Sequence, residues 1–399
     1  MTNPLADIRN LTFIDFETRA LPGASSSDAN LKTAGTYRYV KNAYGIILTG
    51  CEADAPVWSR AVEDFNGGAL RWRDMPHSLH AFHERVMAGT AWYAAFNAGF
   101  DREVWNEATY DFPRVEPEHF IDIMAQATAS NLPPALEGAS RAISRHGKQQ
   151  DGKRLISMFC GLTEWSPQTH PEDWERFVSY AVQDTAELRE VYRHTRPLSV
   201  SEWEDYWVSE RINRRGVSID LPFVTRAAAV AEADSVRSNK LISAMTGGKI
   251  TTLTQAARIA EWVYDRIEHS EARELLVSEW NEDAEDDLVV GKLSLERQRV
   301  ASVLAFYAHL DETEGLTDTE VQIVDMLTLR EFGASTSPFK FAKMLRQHDD
   351  GKLKGQYVFN GAAQTGRFSS KGVQIHNLIR ASLERLEVPA IEMIYELEV

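Results

Sequence analysis

Near its start the chain reads Leu11-Thr-Phe-Ile-Asp-Phe-Glu-Thr18, with apolar and β-branched residues on both alternating faces. That pattern predicts a strand covered on both sides within a sheet, followed by a loop at Leu21-Pro-Gly-Ala-Ser-Ser-Ser27. Short apolar runs at 45–49 and 91–96 predict further strands, and they alternate with helical patterns at 79–87 and 174–192. This is the rhythm of an α/β domain, and it is expected to end near Arg196-Pro197. From Ser201 the pattern changes to long helices, expected at 203–213, 222–245, 254–267 and 293–310. Gly247-Gly248 and an acidic stretch at 279–287 interrupt them. After Asp349-Asp350-Gly351, residues 354–359 read as a strand and Gly361-Ala-Ala-Gln-Thr-Gly366 as a turn. Neither an internal repeat nor a low-complexity tract breaks this order, which predicts segments at 1–197, 198–350 and 351–399.

Composition narrows the class. With 399 residues, 43% hydrophobic and 26% charged, the chain is an ordinary globular sequence of two or three domains, not a disordered or membrane-embedded one. The two cysteines, Cys51 and Cys160, are expected to be free thiols, which excludes a disulfide scaffold and a cysteine zinc cluster and fits a reducing compartment. The longest uncharged stretch near the N-terminus, Val86 to Phe100, is shorter than the roughly 20 residues of a membrane span. MTNPLADIRN has no basic region followed by an apolar core, so cytoplasmic residence, in a bacterial cell or a bacteriophage-infected host, is expected. The net charge of −16 argues against a polyanionic partner. Locally the sign reverses: between Arg330 and Arg385 ten basic residues face four acids, a net +6 that is either a solvated face or a phosphate-binding tract.

Three sequence elements are candidates for chemistry. Asp15 and Glu17 lie two apart on a predicted strand, so both side chains leave one face, at what is expected to be the strand's exposed end. Their flanks are core-like, and acids embedded in such a strand need cations or hydrogen bonds to offset desolvation. In Trp92-Tyr-Ala-Ala-Phe-Asn-Ala-Gly-Phe-Asp101 an apolar strand delivers Asn97 and, four residues later, an acid that reads either as a ligand or as a helix N-cap. Tyr180 and Asp184 sit at i and i+4 of a predicted helix and therefore project side by side.

Taken together, in this order and spacing, the three elements resemble the 3′-5′ exonucleases with a DEDD carboxylate set, in their tyrosine subclass. The resemblance implies an RNase H-like fold with Asp15, Glu17, Asp101 and Asp184 as the carboxylates and two divalent cations, Mg²⁺ or Mn²⁺, as cofactors. Oxygen ligands suit those ions, and two of them about 4 Å apart can activate water and neutralise a phosphodiester. In the family's scheme Asp15 serves both ions, Glu17 and Asp184 the water-activating one, Asp101 the second, and Tyr180 aims the water. Asn97 would contact the substrate backbone, with a structural loop hydrogen bond as the other reading.

The resemblance extends along the chain. Residues 132–140 (LPPALEGAS), 152–159 (GKRLISMF) and 212–220 (INRRGVSID) look like connecting regions of bacteriophage-type family A DNA polymerases. So does FNGAAQTGRFSS (359–370), continuing to QIHNLIR (374–380), which in the family begins the palm and approaches primer-template; Ile379 stands where the family has proline. This implies an exonuclease domain, a mainly helical thumb-like region and the first strands of a palm. Lys352, Lys354, Thr365, Arg367, Lys371, Gln374, Asn377 and Arg380 become candidate DNA contacts. The family's polymerising motifs do not appear, so extension is expected to need a C-terminal polymerase polypeptide as partner. Two alternatives are a primer-template-binding subunit of a split polymerase and an RNase D-like RNA exonuclease.

Overall fold

Strand β1 (Leu11–Ala20) occupies the middle of a five-stranded sheet because it offers apolar side chains on both faces. Leu11 and Phe13 join one core, with Cys51, Ala94, Ile121, Leu188 and Trp203. Ile14 and Phe16 join the other, with Leu48, Phe82, Tyr93 and Trp105. The computed structural model describes residues 3–143, 151–277, 292–333, 338–362, 365–378 and 393.

The sheet order is β3 (Trp58–Ala61), β2 (Ala43–Glu52), β1, β4 (Trp92–Ala95), β5 (Phe120–Asp122). The β3–β2 and β2–β1 pairs are antiparallel, whereas β1–β4 and β4–β5 are parallel. Strands β2 and β4 coincide with the apolar runs in the sequence. Strands β3 and β5 have no apolar run to mark them, because β3 (Trp-Ser-Arg-Ala) is half polar and β5 is only three residues long. β1 also runs two residues past the expected end, to Ala20, with a register shift against β2 between Glu17 and Thr18. Asp15 and Glu17 therefore sit inside the antiparallel ladder, opposite Thr49 and Ile47, and not at a strand terminus.

Two helices cover the Leu11/Phe13 face. Pro171–Arg193 starts with proline in its first turn and carries Glu172 and Asp173 there, which suits the positive end of the helix dipole. Phe13 meets Tyr192 of this helix edge-on, with ring centroids 5.5 Å apart. Val200–Arg215 starts with a reciprocal capping box between Ser199 and Glu202, and buries Trp203 and Tyr206 in the same core as Leu11 and Phe13. Phe359, from a strand near the other end of the chain, packs against that core as well.

By packing, the first compact unit thus extends past Pro197 to Leu221 and takes in the described residues between Lys343 and Leu378. Two small antiparallel pairs belong to it: β6 (Val217–Ser218) with β7 (Lys352–Leu353), and β8 (Tyr357–Ala362) with β9 (Arg367–Ser370). The expected strand at 354–359 is displaced by about three residues to β8. Gly361, expected in the turn, is within that strand, where a Cβ would stand 1.9 Å from Ser369 Oγ. The second unit, within Pro222–Ala342, is helical. Leu221–Met245, Ala256–Tyr264, Arg297–Thr313 and Asp318–Gly333 enclose Ile242, Leu253, Ile259, Val263, Val303, Tyr307, Ile323 and Leu327. Among the described residues no helix is long and apolar enough to cross a membrane.

Candidate active site

The parallel pairing of β1 with β4 stops at Phe13 opposite Ala94, so Asp15 and Glu17 lie just beyond the carboxyl end of the parallel part of the sheet. In open α/β sheets that end is where loops diverge and leave a crevice. The alternation of β1 puts both acids on the Leu11/Phe13 face, the one covered by Pro171–Arg193. Both are partly buried.

Asp101 arrives from the neighbouring strand. β4 ends at Ala95, Asn97 turns the chain in the left-handed region (φ 66°), and helix Ala98–Glu107 begins. Asparagine tolerates this backbone better than most residues. Asp101 lies in the first turn of that helix and is not its N-cap, which is Asn97. It is 2% exposed, and its Oδ1 accepts a hydrogen bond of 3.1 Å from the Phe16 backbone N–H, between Asp15 and Glu17. Burial, then the negative charge of Asp15, push the Asp101 carboxyl well above the usual range.

Tyr180 and Asp184 come from Pro171–Arg193 and are buried. Burial raises the Tyr180 phenol; its hydrogen bond with Asp184 and the charges of Asp184, Glu17 and Asp15 act in the same direction. The helix is held to the sheet nearby, where Thr49 Oγ1 and Thr185 Oγ1 are 2.6 Å apart. The five residues singled out in the sequence are therefore brought to one end of the sheet. They supply oxygen donors alone, the type that Mg²⁺ and Mn²⁺ take. Among the described residues no three His, Cys, Asp or Glu side chains form a ready-made metal cluster.

Several contributors were not anticipated. Cys160 Sγ approaches Glu17 Oε2 at 3.8 Å, and burial, followed by the charge of Glu17, raises its thiol pKa. Asp122, at the carboxyl end of β5, is buried and accepts hydrogen bonds of 2.9 Å from the N–H groups of Asn97 and Met124. Burial pushes its carboxyl up to about 6, with the charge of Glu210 adding to the shift. A signal for it exists: Phe-Ile-Asp occurs at 13–15 and again at 120–122, each time on a strand of the parallel set. Asn97 engages Asp122 through its backbone N–H, and its side chain makes no cap hydrogen bond.

Gly152 packs directly under Tyr180: a Cβ there would stand 2.4 Å from the ring's Cε2. Helix propensity alone would favour Gly152→Ala by about 0.8–1 kcal/mol. Because the Tyr180 ring is buried and has no room to yield, we expect this variant to lose about 1–3 kcal/mol instead. Thermal unfolding checks the sign, and an alanine variant more stable than the parent would refute the packing argument.

The candidate nucleic-acid contacts fall into two groups. Lys352, Thr365, Arg367, Lys371, Gln374 and Asn377 are exposed, in β7, in the β8–β9 hairpin or just after it. Lys354 is not available in the same way, since its Nζ is 2.6 Å from Asp349 Oδ2, whose other oxygen takes Lys41 at 2.5 Å. Arg380 lies outside the described residues.

The chain is similar in sequence to a bacteriophage DNA polymerase. No family model matches it. It is 26% identical, over 396 aligned residues, to the DNA polymerase of Bacillus phage SP02, covering 92% of this chain and 54% of that one. This bears out the resemblance to DNA polymerases, and the chain spans about half the length of that curated relative. A solved structure, the POL domain of Pol1 from M. smegmatis in complex with DNA primer-template and dNTP, aligns with 92% of this chain and 53% of its own, at 12% identity and a TM-score of 0.48.

Proposed function

We propose that the first unit is an RNase H-like 3′-5′ exonuclease of the proofreading type, within a protein related to family A DNA polymerases. The observation that carries this reading is the convergence of Asp15, Glu17, Asp101, Asp184 and Tyr180 beside the carboxyl ends of the parallel strands. The mixed sheet β3-β2-β1-β4-β5, antiparallel in its first three strands and parallel in the rest, supports the α/β fold that the resemblance implies.

In this reading Asp15, Glu17, Asp101 and Asp184 would hold two divalent cations. When bound, these lower the pKa of a water and neutralise charge on the scissile phosphate. Tyr180 positions the attacking water through its hydroxyl, itself oriented by Asp184. The Phe16 N–H fixes one Asp101 oxygen, so the acid meets the site in one orientation. We expect the purified protein to shorten single-stranded DNA from its 3′ end with Mg²⁺ or Mn²⁺, and to stop when EDTA is added. Digestion that continues in EDTA would defeat the assignment, and equal digestion of RNA would favour an RNase D-like enzyme.

The exposed basic side chains of β7 to β9 are proposed to bind duplex DNA. Arg367 lies beside the exposed Phe368 on β9. Each phosphate neutralised adds about 0.9 to the slope of log affinity against log salt. Arg367→Ala should therefore weaken primer-template binding and flatten that slope by about one unit. Fluorescence anisotropy at four salt concentrations measures both, and an unaltered slope would remove Arg367 from the interface. Polymerisation by this protein with a C-terminal polypeptide is the corresponding proposal for its second activity.

A further inference from the structure

The helix that carries Asp101 is held from outside the sheet. Tyr206 and Glu210, at i and i+4 of Val200–Arg215, project from one face of that helix. Tyr206 is buried, and its hydroxyl donates to Asp122 Oδ2 at 3.2 Å. The other oxygen of Asp122 accepts from the Asn97 N–H, where the chain turns into the Asp101 helix. Four residues on, Glu210 Oε2 takes the Arg102 guanidinium at 2.9 Å, immediately after Asp101. Glu210 also lies against Gly99, where a Cβ would stand 2.8 Å from Oε2. The Oε1 of Glu210 accepts from Asn213 Nδ2 at 2.9 Å. Asn213 in turn makes a two-pronged amide pair with Tyr357 of β8: Nδ2 donates to the Tyr357 carbonyl and Oδ1 accepts from its N–H, each at 2.9 Å.

Adhesion alone does not require these groups, since Trp203 already supplies a fully buried apolar anchor for the helix. Buried polar partners that satisfy one another instead select a single relative position, because any slip leaves a desolvated donor or acceptor unmatched. The contacts fall on both sides of Asp101: at Asn97 through Asp122, and at Gly99 and Arg102 directly. The cavity they border, about 30 Å³, is large enough for about one water and leaves little room for the loop to settle differently.

We propose that Tyr206 and Glu210 are positioning residues for Asp101, so that the helix after the sheet is part of the active site's construction; this rests on the exonuclease reading above. The test is made in the full chain with Tyr206→Phe and Glu210→Gln. Glu210→Gln is expected to fold, because Arg102 keeps Glu103 at 3.0 Å. Each variant should lower kcat for single-stranded DNA about tenfold, while KM for DNA moves less than about twofold, since displacement by a fraction of an ångström costs rate before binding. A purely structural role would lower the melting temperature without that split.

Unchanged kcat in both folded variants, alongside an inactive Asp101→Asn control, would overturn the positioning proposal and leave the exonuclease reading standing. An inactive parent, or an Asp101→Asn variant as active as the parent, would overturn the exonuclease reading and the catalytic part of the proposal with it. Hydrogen exchange then decides the structural part on its own. Amides of Asn97, Ala98 and Phe100 should exchange about tenfold faster in the variants if the helix holds this turn, and exchange at the parental rate would overturn that too.

Discussion

Asp15→Ala is expected to remove about 10⁴-fold or more of the proposed nuclease activity, whereas Tyr180→Phe should leave a rate lowered by only about 10²-fold. The difference follows from where the two groups stand. Asp15 is the acid whose charge is felt both by Asp101, on the β4 side, and by Tyr180, on the long helix. On the proposed reading it is therefore central to the set, and its loss would disrupt cation binding on both sides. Tyr180 is hydrogen-bonded to Asp184 and on the same reading would contribute only aim. Removing the hydroxyl leaves every carboxylate in place, and phenylalanine keeps the packing against Phe177 and Gly152. Single-turnover digestion of a 3′-labelled oligonucleotide in Mg²⁺ measures both rates, with circular dichroism to confirm folding. Equal losses in two folded variants would show that Asp15 has no central role.

The largest stability effect is expected at Arg102. Its side chain has no exposure to solvent, and it is paired with Glu210 Oε2 at 2.9 Å and Glu103 Oε1 at 3.0 Å. Burial opposes its charge, but Glu210, Tyr37 and Glu103 outweigh that penalty and raise its pKa. Arg102→Met fills a similar volume yet leaves two carboxylates desolvated without a cation. Breaking a buried pair in this way typically costs about 3–5 kcal/mol. For a unit of this size that is a fall in melting temperature on the order of 10 °C. Replacing Arg102, Glu103 and Glu210 together by Met, Gln and Gln should recover much of the loss, because the uncompensated charges are then gone. A single variant melting within about 2 °C of the parent would mean that water reaches these acids.

How much of this was legible from residues follows the range of the interactions involved. β1 was visible because each of its faces had to be apolar, and the long helices because their stripes repeat for many turns. Asp15, Glu17, Asp101, Tyr180 and Asp184 stood out because their types and spacings are tied to local elements. Their sharing one end of a sheet was not local. It came from the parallel pairing of β1 with β4 and from the helix Pro171–Arg193 crossing the Phe13 face. Sequence patterns also left open positions whose meaning depends on a partner outside their own motif. Asp101 suited a helix cap until the Phe16 N–H claimed its carboxylate. Lys354 is a candidate phosphate contact by sequence, and in the fold its ammonium is paired with Asp349.

Asp122, Tyr206 and Glu210 carried no usable periodic signal. Their importance lies in one hydrogen bond across 84 residues and another across 108. By itself, then, the sequence determined the elements, the acidic and basic tracts and the residue types able to do chemistry. The tertiary structure decided which buried polar groups satisfy one another, because desolvation makes an unmatched donor or acceptor costly and only the folded chain brings the matching groups together.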